Sequence, residues 1–305
     1  MRVAVTGASG FVGGAVVQAL REHGHDVAPF GRREPSRLSR PIADYQQWDV
    51  ASGARSLDVD ALVHCAAQVG QWGRRSEFWR TNVHGTEQVM RSIPEQARLV
   101  YVSTASVYPR TSSKAAISES ASDASRPFST YGVSKLAGER VALERANTVV
   151  LRPHIVYGSG DSTLWPRFVA ARRNGVITIP GDGSNRVSVT HIFNLVASVE
   201  ASVCKRSPAG IYNIADSDAP TVDELLHTMF VRHSLPTTIR YLPRPVAWGA
   251  AAAIEAYWFT RSRPGEPPLT RYAVGSLADP SVLDISRACA HLGYVPRWTY
   301  RDGPL

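Results

Sequence analysis

Residues 2–13 read Arg2-Val3-Ala4-Val5-Thr6-Gly7-Ala8-Ser9-Gly10-Phe11-Val12-Gly13. The first five are small or β-branched and predict a short buried strand, while the run from Phe11 to His23 has helical spacing. Between them lies a glycine turn. Glycine is needed there for a ligand phosphate, because a Cβ would hold a pyrophosphate away from the backbone N–H groups, and the helix start supplies positive potential. The strand–turn–helix context separates this turn from a merely structural one and makes Gly7, Ser9, Gly10, Phe11, Val12 and Gly13 candidate dinucleotide ligands.

Outward from this turn, the same alternation continues. Arg2–Thr6, Asp26–Phe30, Ala61–Cys65, Arg98–Ser103 and Thr148–Arg152 predict strands. Phe11–His23, Phe78–Ser92 and Tyr131–Glu144 predict helices between them. Such alternation implies an α/β fold with a doubly wound parallel sheet. After Pro153 the pattern breaks up around Pro166, Gly175, Pro180, Gly181 and Gly183, and again in a proline-rich stretch from Pro236 to Pro268. Val187–Val203 and Ile211–Ala215 are regular enough to rejoin the main sheet. The expected division is a dinucleotide-binding domain of residues 1–155 plus about 187–215. A smaller carboxyl-terminal substrate-binding domain takes about 156–186 and 216–305.

The chain has 305 residues, 44% hydrophobic and 20% charged, which suits one large domain or two coupled ones with a sizeable core. Cys65, Cys204 and Cys289 form no CxxC pair, so neither a disulfide framework nor a zinc site is indicated, and a reducing cytoplasm fits. The net charge is +8, yet Lys114, Lys135 and Lys205 are the only lysines and the arginines are dispersed, which argues against nucleic acid and for anionic small molecules. No signal peptide is read at the start. The apolar stretch Val246–Phe259 is too short to span a bilayer and carries Glu255, so it is expected to be a buried or pocket-lining helix.

The end of the second predicted strand bears on the cofactor. A ribose 2′-hydroxyl calls for a carboxylate there, whereas a 2′-phosphate calls for its absence and a guanidinium. The sequence has Gly31, then Arg32 and Arg33, which favours NADP(H) over NAD(H). In Tyr131-Gly132-Val133-Ser134-Lys135 the phenol and the ammonium share a helix face. The cation is expected to lower the tyrosine pKa, so that its hydroxyl exchanges a proton with a carbonyl oxygen.

Taken together, these motifs resemble the short-chain dehydrogenase/reductase superfamily, in its extended branch with a Rossmann-type sheet. The segment Ser103-Thr104-Ala105-Ser106-Val107-Tyr108 is similar to that family's S-S/T-x-x-V-Y-G pattern, with Pro109 where glycine is usual. The resemblance implies that Thr104 holds the substrate oxygen, with Ser103 the alternative and also near the cofactor. It implies further cofactor contacts at Asp49 and Val50, at Cys65, Ala66 and Ala67, at Asn82, and at Pro153, His154 and Ile155. Tyr131 and Lys135 would then be catalytic and would also touch the nicotinamide ribose.

Sugar dehydratases of this branch carry an Asp-Glu pair where this chain has Ala105 and Ser106, which disfavours dehydration. Nucleotide-sugar epimerases place an asparagine near Ile155, and isoleucine offers no side-chain donor. The stretch from His64 to Gly73, with Tyr157-Gly158-Ser159-Gly160-Asp161, Leu269-Thr270-Arg271-Tyr272 and Asp284-Ile285-Ser286-Arg287, resembles the 3β-hydroxysteroid-dehydrogenase-like branch, including 2-alkyl-3-oxoalkanoate reductases. That resemblance implies a hydrophobic small-molecule substrate and an NADP(H)-dependent ketoreductase. A nucleotide-sugar epimerase or a non-catalytic NADP sensor are the alternatives. Gln68, Thr104, His154 and Arg186 are the candidate substrate contacts; a structural histidine and a surface arginine fit the last two equally. Trp248, Tyr257, Trp258 and Phe259 suit an apolar pocket or a core. His191 is read as a helix cap. No metal and no nucleic acid are expected, and a homodimer is compatible with the reading.

Overall fold

In the computed structural model, residues 1–110, 115–123, 127–204 and 207–305 are described, and Lys114 and Lys205 lie outside them. β1 (Arg2–Thr6), α1 (Phe11–Glu22), β2 (Asp26–Gly31) and β3 (Gln46–Gln47) form the first unit. β4 (Ala61–His64), α2 (Arg75–Trp79), α3 (Gly85–Ser92), β5 (Arg98–Val102), α4 (Thr130–Ala142) and β6 (Thr148–Pro153) form the second. Next come β7 (Val156–Tyr157), α5 (Leu164–Ala171), β8 (Val176–Pro180), β9 (Thr190–His191), α6 (Ile192–Val203) and β10 (Gly210–Ile214). The chain continues with α7 (Val222–Arg232), β11 (Thr238–Leu242), α8 (Arg244–Thr260), α9 (Arg271–Ala278) and α10 (Ser286–Leu292).

Seven strands make one parallel sheet in the order β10-β6-β5-β4-β1-β2-β3. From β1 the chain winds outward through β2 and β3, then returns to β4 and winds the other way. The sheet is therefore doubly wound, and its switch point lies between β1 and β4, where carboxyl ends of parallel strands open a crevice for a ligand. Both faces are covered. On one, Val16, Val17 and Leu20 of α1 pack with Leu195, Val196 and Val199 of α6 over Val3, Val5 and Val63. On the other, Val89 and Ala142 cover Ala4, Leu62, Leu99 and Val150. A separate apolar cluster joins Tyr157, Ile177, Ile179, Val189, Leu226 and Met229.

Three sequence readings change. The helix read over Phe78–Ser92 starts at Arg75, and residues Arg80–His84 form a π-turn between α2 and α3. Ile211–Ala215 does join the main sheet, as β10 beside β6, but Val187–Val203 does not. Its strand, β9, pairs with β7 in a small separate sheet, and its apolar residues lie on α6, whose buried face packs onto the sheet. The Val246–Phe259 helix is not buried as a whole. In α8 only Ala247, Ala251 and Glu255 are buried, one per turn; the two alanines meet Val274 of α9 and Glu255 pairs with Arg271 at 2.6 Å, while Val246 and Phe259 are 57% and 78% exposed.

The second half of the sheet is locked by a buried ion pair. Arg152 of β6 meets Glu139 of α4 at 2.6 Å, both 1% exposed. Two charges out of water are tolerated only when every donor and acceptor is used. Arg152 also donates to the Tyr108 hydroxyl at 3.0 Å, the Glu119 carbonyl at 2.9 Å and Ser122 Oγ at 3.1 Å. Glu139→Ala strands that guanidinium, and the expected loss of unfolding free energy is about 3–5 kcal/mol in urea titrations. A loss below about 1 kcal/mol would show that the pair does not hold α4 to the sheet.

Candidate active site

The turn after β1 is shaped by contact with the next strand over. Gly7 has φ +71°, and a Cβ there would lie 2.7 Å from the Ala66 nitrogen, so glycine is required for both conformation and space. Gly13 sits on the same turn: its added Cβ would meet the Gly7 carbonyl oxygen at 2.2 Å. Gly10 is the N-cap of α1 and no side chain caps it, which leaves first-turn N–H groups open toward the crevice. These features fit a pyrophosphate. Cys65, Ala66, Ala67 and Gln68 line the loop after β4 and are half-buried.

At the end of β2, Gly31 is buried, and a Cβ there would come 2.5 Å from the Tyr45 hydroxyl and 3.1 Å from Ser9 Oγ. Arg32 and Arg33 are exposed, and their guanidinium groups make no ion pair or hydrogen bond among the described residues. Asp49 is engaged: its carboxylate accepts from the Ala51 nitrogen at 3.0 Å and pairs with Arg80 at 3.0 Å. Val50 packs beneath Gly85.

A hydrogen-bonded chain crosses the crevice floor. Thr6 Oγ1 and His64 Nδ1 are 2.7 Å apart, and His64 Nε2 lies 3.2 Å from Thr86 Oγ1. Burial drives the His64 pKa down to about 3, with the nearby Lys135 charge adding to it, so this histidine is a neutral strut. Asn82, inside the π-turn, accepts from the Gln68 nitrogen at 2.8 Å and donates to the Gln68 carbonyl at 3.0 Å and to Ser134 Oγ at 2.9 Å. Its amide therefore shapes the Cys65–Gln68 loop and braces α4.

The catalytic candidates meet because α4 approaches the end of β5 closely. A Cβ on Gly132 would lie 2.1 Å from the Ser106 carbonyl oxygen, so glycine lets the helix touch the Thr104–Ser106 turn. Tyr131 stands there with its ring 6.4 Å from Phe78. Desolvation raises its pKa, the neighbouring Tyr272 raises it further, and a hydrogen bond with Thr104 pulls it back. Lys135 is 2% exposed; its Nζ donates to the Val102 carbonyl at 2.8 Å and sits 4.0 Å over the Tyr101 ring. Burial lowers its pKa to about 8 against the opposing pull of Glu139 and Cys65. The expected lowering of the tyrosine pKa by this cation is thus not the leading effect: the ammonium is drawn to a strand carbonyl, and burial of the phenol dominates.

Other sequence candidates are placed as follows. The Ser103 hydroxyl donates to Glu139, so of the two candidates it is Thr104 that faces Tyr131. His154, after Pro153 at the end of β6, has Nδ1 2.8 Å from the Ser188 carbonyl, and its pKa is pushed to about 4 by burial. Ile155 has φ +45°. Arg186 is exposed and donates to the Ala219 carbonyl at 2.7 Å. His191 caps α6, accepting from the Phe193 nitrogen at 3.2 Å. Of the four aromatics read in α8, Trp248 reaches Phe128, with centroids 5.6 Å apart.

Three residues here were not read as site residues. Ser106 Oγ lies 2.7 Å from the Tyr272 hydroxyl and accepts from Thr104 Oγ1 at 3.1 Å. Arg110 donates to the Tyr272 carbonyl at 2.6 Å and stacks 4.6 Å over Phe128. The Leu269–Tyr272 motif was the one signal for Tyr272; its pairing with Ser106 spans too much chain to leave a local pattern.

This arrangement, a dinucleotide turn beside a Tyr–Lys pair and a threonine, defines a class that comparison with known proteins names. The NAD dependent epimerase/dehydratase family model matches residues 3–215, and the chain belongs to that family. It is an oxidoreductase of the extended short-chain dehydrogenase/reductase type. It is 30% identical to the 2-alkyl-3-oxoalkanoate reductase of Stenotrophomonas maltophilia, over 99% of this chain and 97% of the relative. It is 27% identical to the 4-hydroxy-2-methyl-3-oxo-4-farnesyl-3,4-dihydroquinoline-1-oxide ketoreductase of Stigmatella aurantiaca, over 99% and 94%. The solved structure of MoeE5 in complex with UDP-glucose and NAD superposes with a TM-score of 0.75 at 26% identity, covering 99% of this chain and 96% of that one. Among the described residues no helix is long and apolar enough to cross a membrane.

The lowered Lys135 pKa has a thermodynamic consequence. An unfolded lysine titrates near 10.5 and the folded one near 8, so between those values the unfolded chain binds more protons and folding stability rises with pH. Against a Lys135→Met variant, the native protein should gain stability steadily as pH is raised through that window. A flat difference would show that Lys135 titrates at its ordinary value.

Proposed function

We propose that the chain is an NADP(H)-dependent ketoreductase acting on the carbonyl of a hydrophobic substrate such as a β-keto acid, a steroid-like ketone or a natural-product intermediate. The observation that carries this reading is the meeting of Tyr131 and Thr104 at the carboxyl edge of the sheet, with Lys135 buried one helical turn on. The reduced nicotinamide, when bound, supplies the hydride. Thr104 donates a hydrogen bond that fixes the substrate oxygen, and Tyr131 gives that oxygen its proton. The Tyr131 pKa, raised by burial, keeps the phenol protonated in the resting site, as a proton donor requires. Lys135, one turn along the same helix, supplies a positive charge that stabilises the phenolate once the proton has left.

The two reductases named above support a ketone, and the rings of Phe78, Phe128 and Trp248 support an apolar one. Unengaged Arg32 and Arg33 beside Gly31 support a 2′-phosphate. Residues about 156–186 and 216–305 form the substrate-binding part on this reading, resting on the dinucleotide-binding part of 1–155 and about 187–215. The nucleotide sugar in the MoeE5 structure is the observation behind an epimerase alternative. NADPH consumption against long-chain β-keto acids, steroid ketones and nucleotide sugars separates the two: turnover confined to the sugars would reject the ketoreductase.

Two substitutions test the parts. Arg32→Ala removes a guanidinium–phosphate contact and should weaken NADP binding by about 1.5–3 kcal/mol, about 10- to 150-fold, in fluorescence titration. Unchanged preference for NADP over NAD would contradict the role given to this loop. Tyr131→Phe deletes only the transferable proton and should lower kcat about 100- to 10,000-fold with little change in NADPH affinity; a variant keeping most of its turnover would remove Tyr131 from the chemistry.

A further inference from the structure

Tyr272 lies on α9, 166 residues from its partner Ser106, yet their hydroxyls are 2.7 Å apart. Ser106 is also the acceptor for Thr104 at 3.1 Å, and its own backbone N–H donates to Thr104 Oγ1 at 3.2 Å. Thr104 in turn faces Tyr131. The Thr104, Ser106 and Tyr272 hydroxyls thus form one hydrogen-bonded chain, and Thr104 at its near end faces Tyr131, so the row leads from the half-buried phenol of α9 to the half-buried phenol of α4. A hydroxyl both donates and accepts, and its proton rotates freely, so such a chain passes a proton in either direction.

The far end is held in place. Thr270 caps α9, accepting from the Ala273 nitrogen at 3.0 Å, and donates to Gln71 at 2.8 Å. Arg110 clasps the Tyr272 carbonyl at 2.6 Å and is itself paired with Asp279 at 3.1 Å. Room for that arginine is made by Gly275, where a Cβ would fall 1.1 Å from Arg110 Nη1. An element so tied places its phenol against Ser106 with little freedom to leave it.

We propose that Ser106 and Tyr272 are the proton relay of this site, returning to Tyr131, through Thr104, the proton it gives up in each turnover. The proposal rests on the ketoreductase reading and adds two residues to it. In each reduction the carbonyl carbon takes a hydride from the reduced nicotinamide dinucleotide and the oxygen takes the Tyr131 proton. The phenolate left behind takes the Thr104 proton, Thr104 takes that of Ser106, Ser106 that of Tyr272, and Tyr272 that of water. Every O–H bond broken is matched by one formed, and one water-derived proton enters per alcohol made. In oxidation the same chain runs outward. Ser106 and Tyr272 act through Thr104 and are positioning residues; neither touches the reacting carbon.

The test uses the whole protein in two independent readouts. In turnover, Ser106→Ala and Tyr272→Phe should each lower kcat about tenfold or more, as loss of proton transfer does, with NADPH affinity unchanged. Ser106→Thr, which restores the hydroxyl, should recover most of it. The native solvent isotope effect on kcat should show several protons in flight in mixed H2O/D2O, and one in the broken chains. Without any substrate, 13Cζ-tyrosine resonances assigned with Tyr131→Phe and Tyr272→Phe should show the Tyr131 signal shifting in Tyr272→Phe, and that shift vanishing once Ser106 is alanine. If no ketone is reduced by the native protein, the ketoreductase reading fails while the resonances still decide the chain. Native kcat and isotope effect in both broken variants, or a Tyr131 resonance indifferent to Tyr272, would overturn the relay.

Discussion

The ion pair between Arg152 and Glu139 sets the geometry on which the site depends. In a low-dielectric interior an unmatched charge costs several kcal/mol, so rotating α4 or sliding β6 away is opposed by far more than any single apolar contact supplies. Glu139 lies one helical turn beyond Lys135 and two beyond Tyr131 on α4. Fixing its carboxylate on Arg152 fixes the azimuth of the helix, and with it the direction in which the ammonium and the phenol point. Ser103 ties the end of β5 to the same carboxylate, and Thr104 is its neighbour. One carboxylate thereby positions helix, strand end and threonine relative to one another.

Close approach does the rest. Helix α4 touches the Thr104–Ser106 turn because Gly132 has no Cβ, and α9 accommodates Arg110 because Gly275 has none. A side chain at either position would part surfaces that must lie within hydrogen-bond distance, and a hydrogen bond weakens steeply once stretched. The balance on Tyr131 follows from the same packing. Desolvation and the neighbouring Tyr272 keep its proton on and the Thr104 contact eases it off, while Lys135 is held on the Val102 carbonyl.

Local features of this fold were legible in the sequence. The strand–turn–helix at Arg2–Glu22 is written in contiguous residues, as is the i, i+4 pair Tyr131 and Lys135, so periodicity and turn chemistry suffice. The parallel sheet followed from alternation, since parallel strands need crossovers. Features resting on distant pairs were not legible. Tyr272 reaches Ser106 across most of the chain, and Arg110 reaches Asp279 from equally far. The π-turn at Arg80–His84 has the same apolar spacing as a plain helix; the inward turn of Asn82 toward Gln68 and Ser134 distinguishes it. For α8, composition alone suggested burial, but its buried stripe is two alanines and a glutamate, which covers little apolar area, and Val246, Tyr257 and Phe259 are exposed.

Ile155 brings backbone and chemistry together at the wall after β6. A φ of +45° is left-handed, a region that costs an L-residue about 1–2 kcal/mol and sits worst with a β-branched one; asparagine or glycine would relieve that strain. Isoleucine instead packs against the cluster of Tyr157, Val189 and Leu226, so apolar burial offsets the backbone strain. The polar groups beside it are already spent: the His154 nitrogen bonds Thr190 Oγ1 at 3.1 Å, the His154 ring meets the Ser188 carbonyl, and Thr190 donates to the Ile214 carbonyl at 2.9 Å. A diphosphate beside Ile155 would gain no hydrogen bond from that side chain, where an asparagine would offer one. That exchange of a side-chain donor for apolar contact is what the proposed ketoreductase reading draws on at this wall.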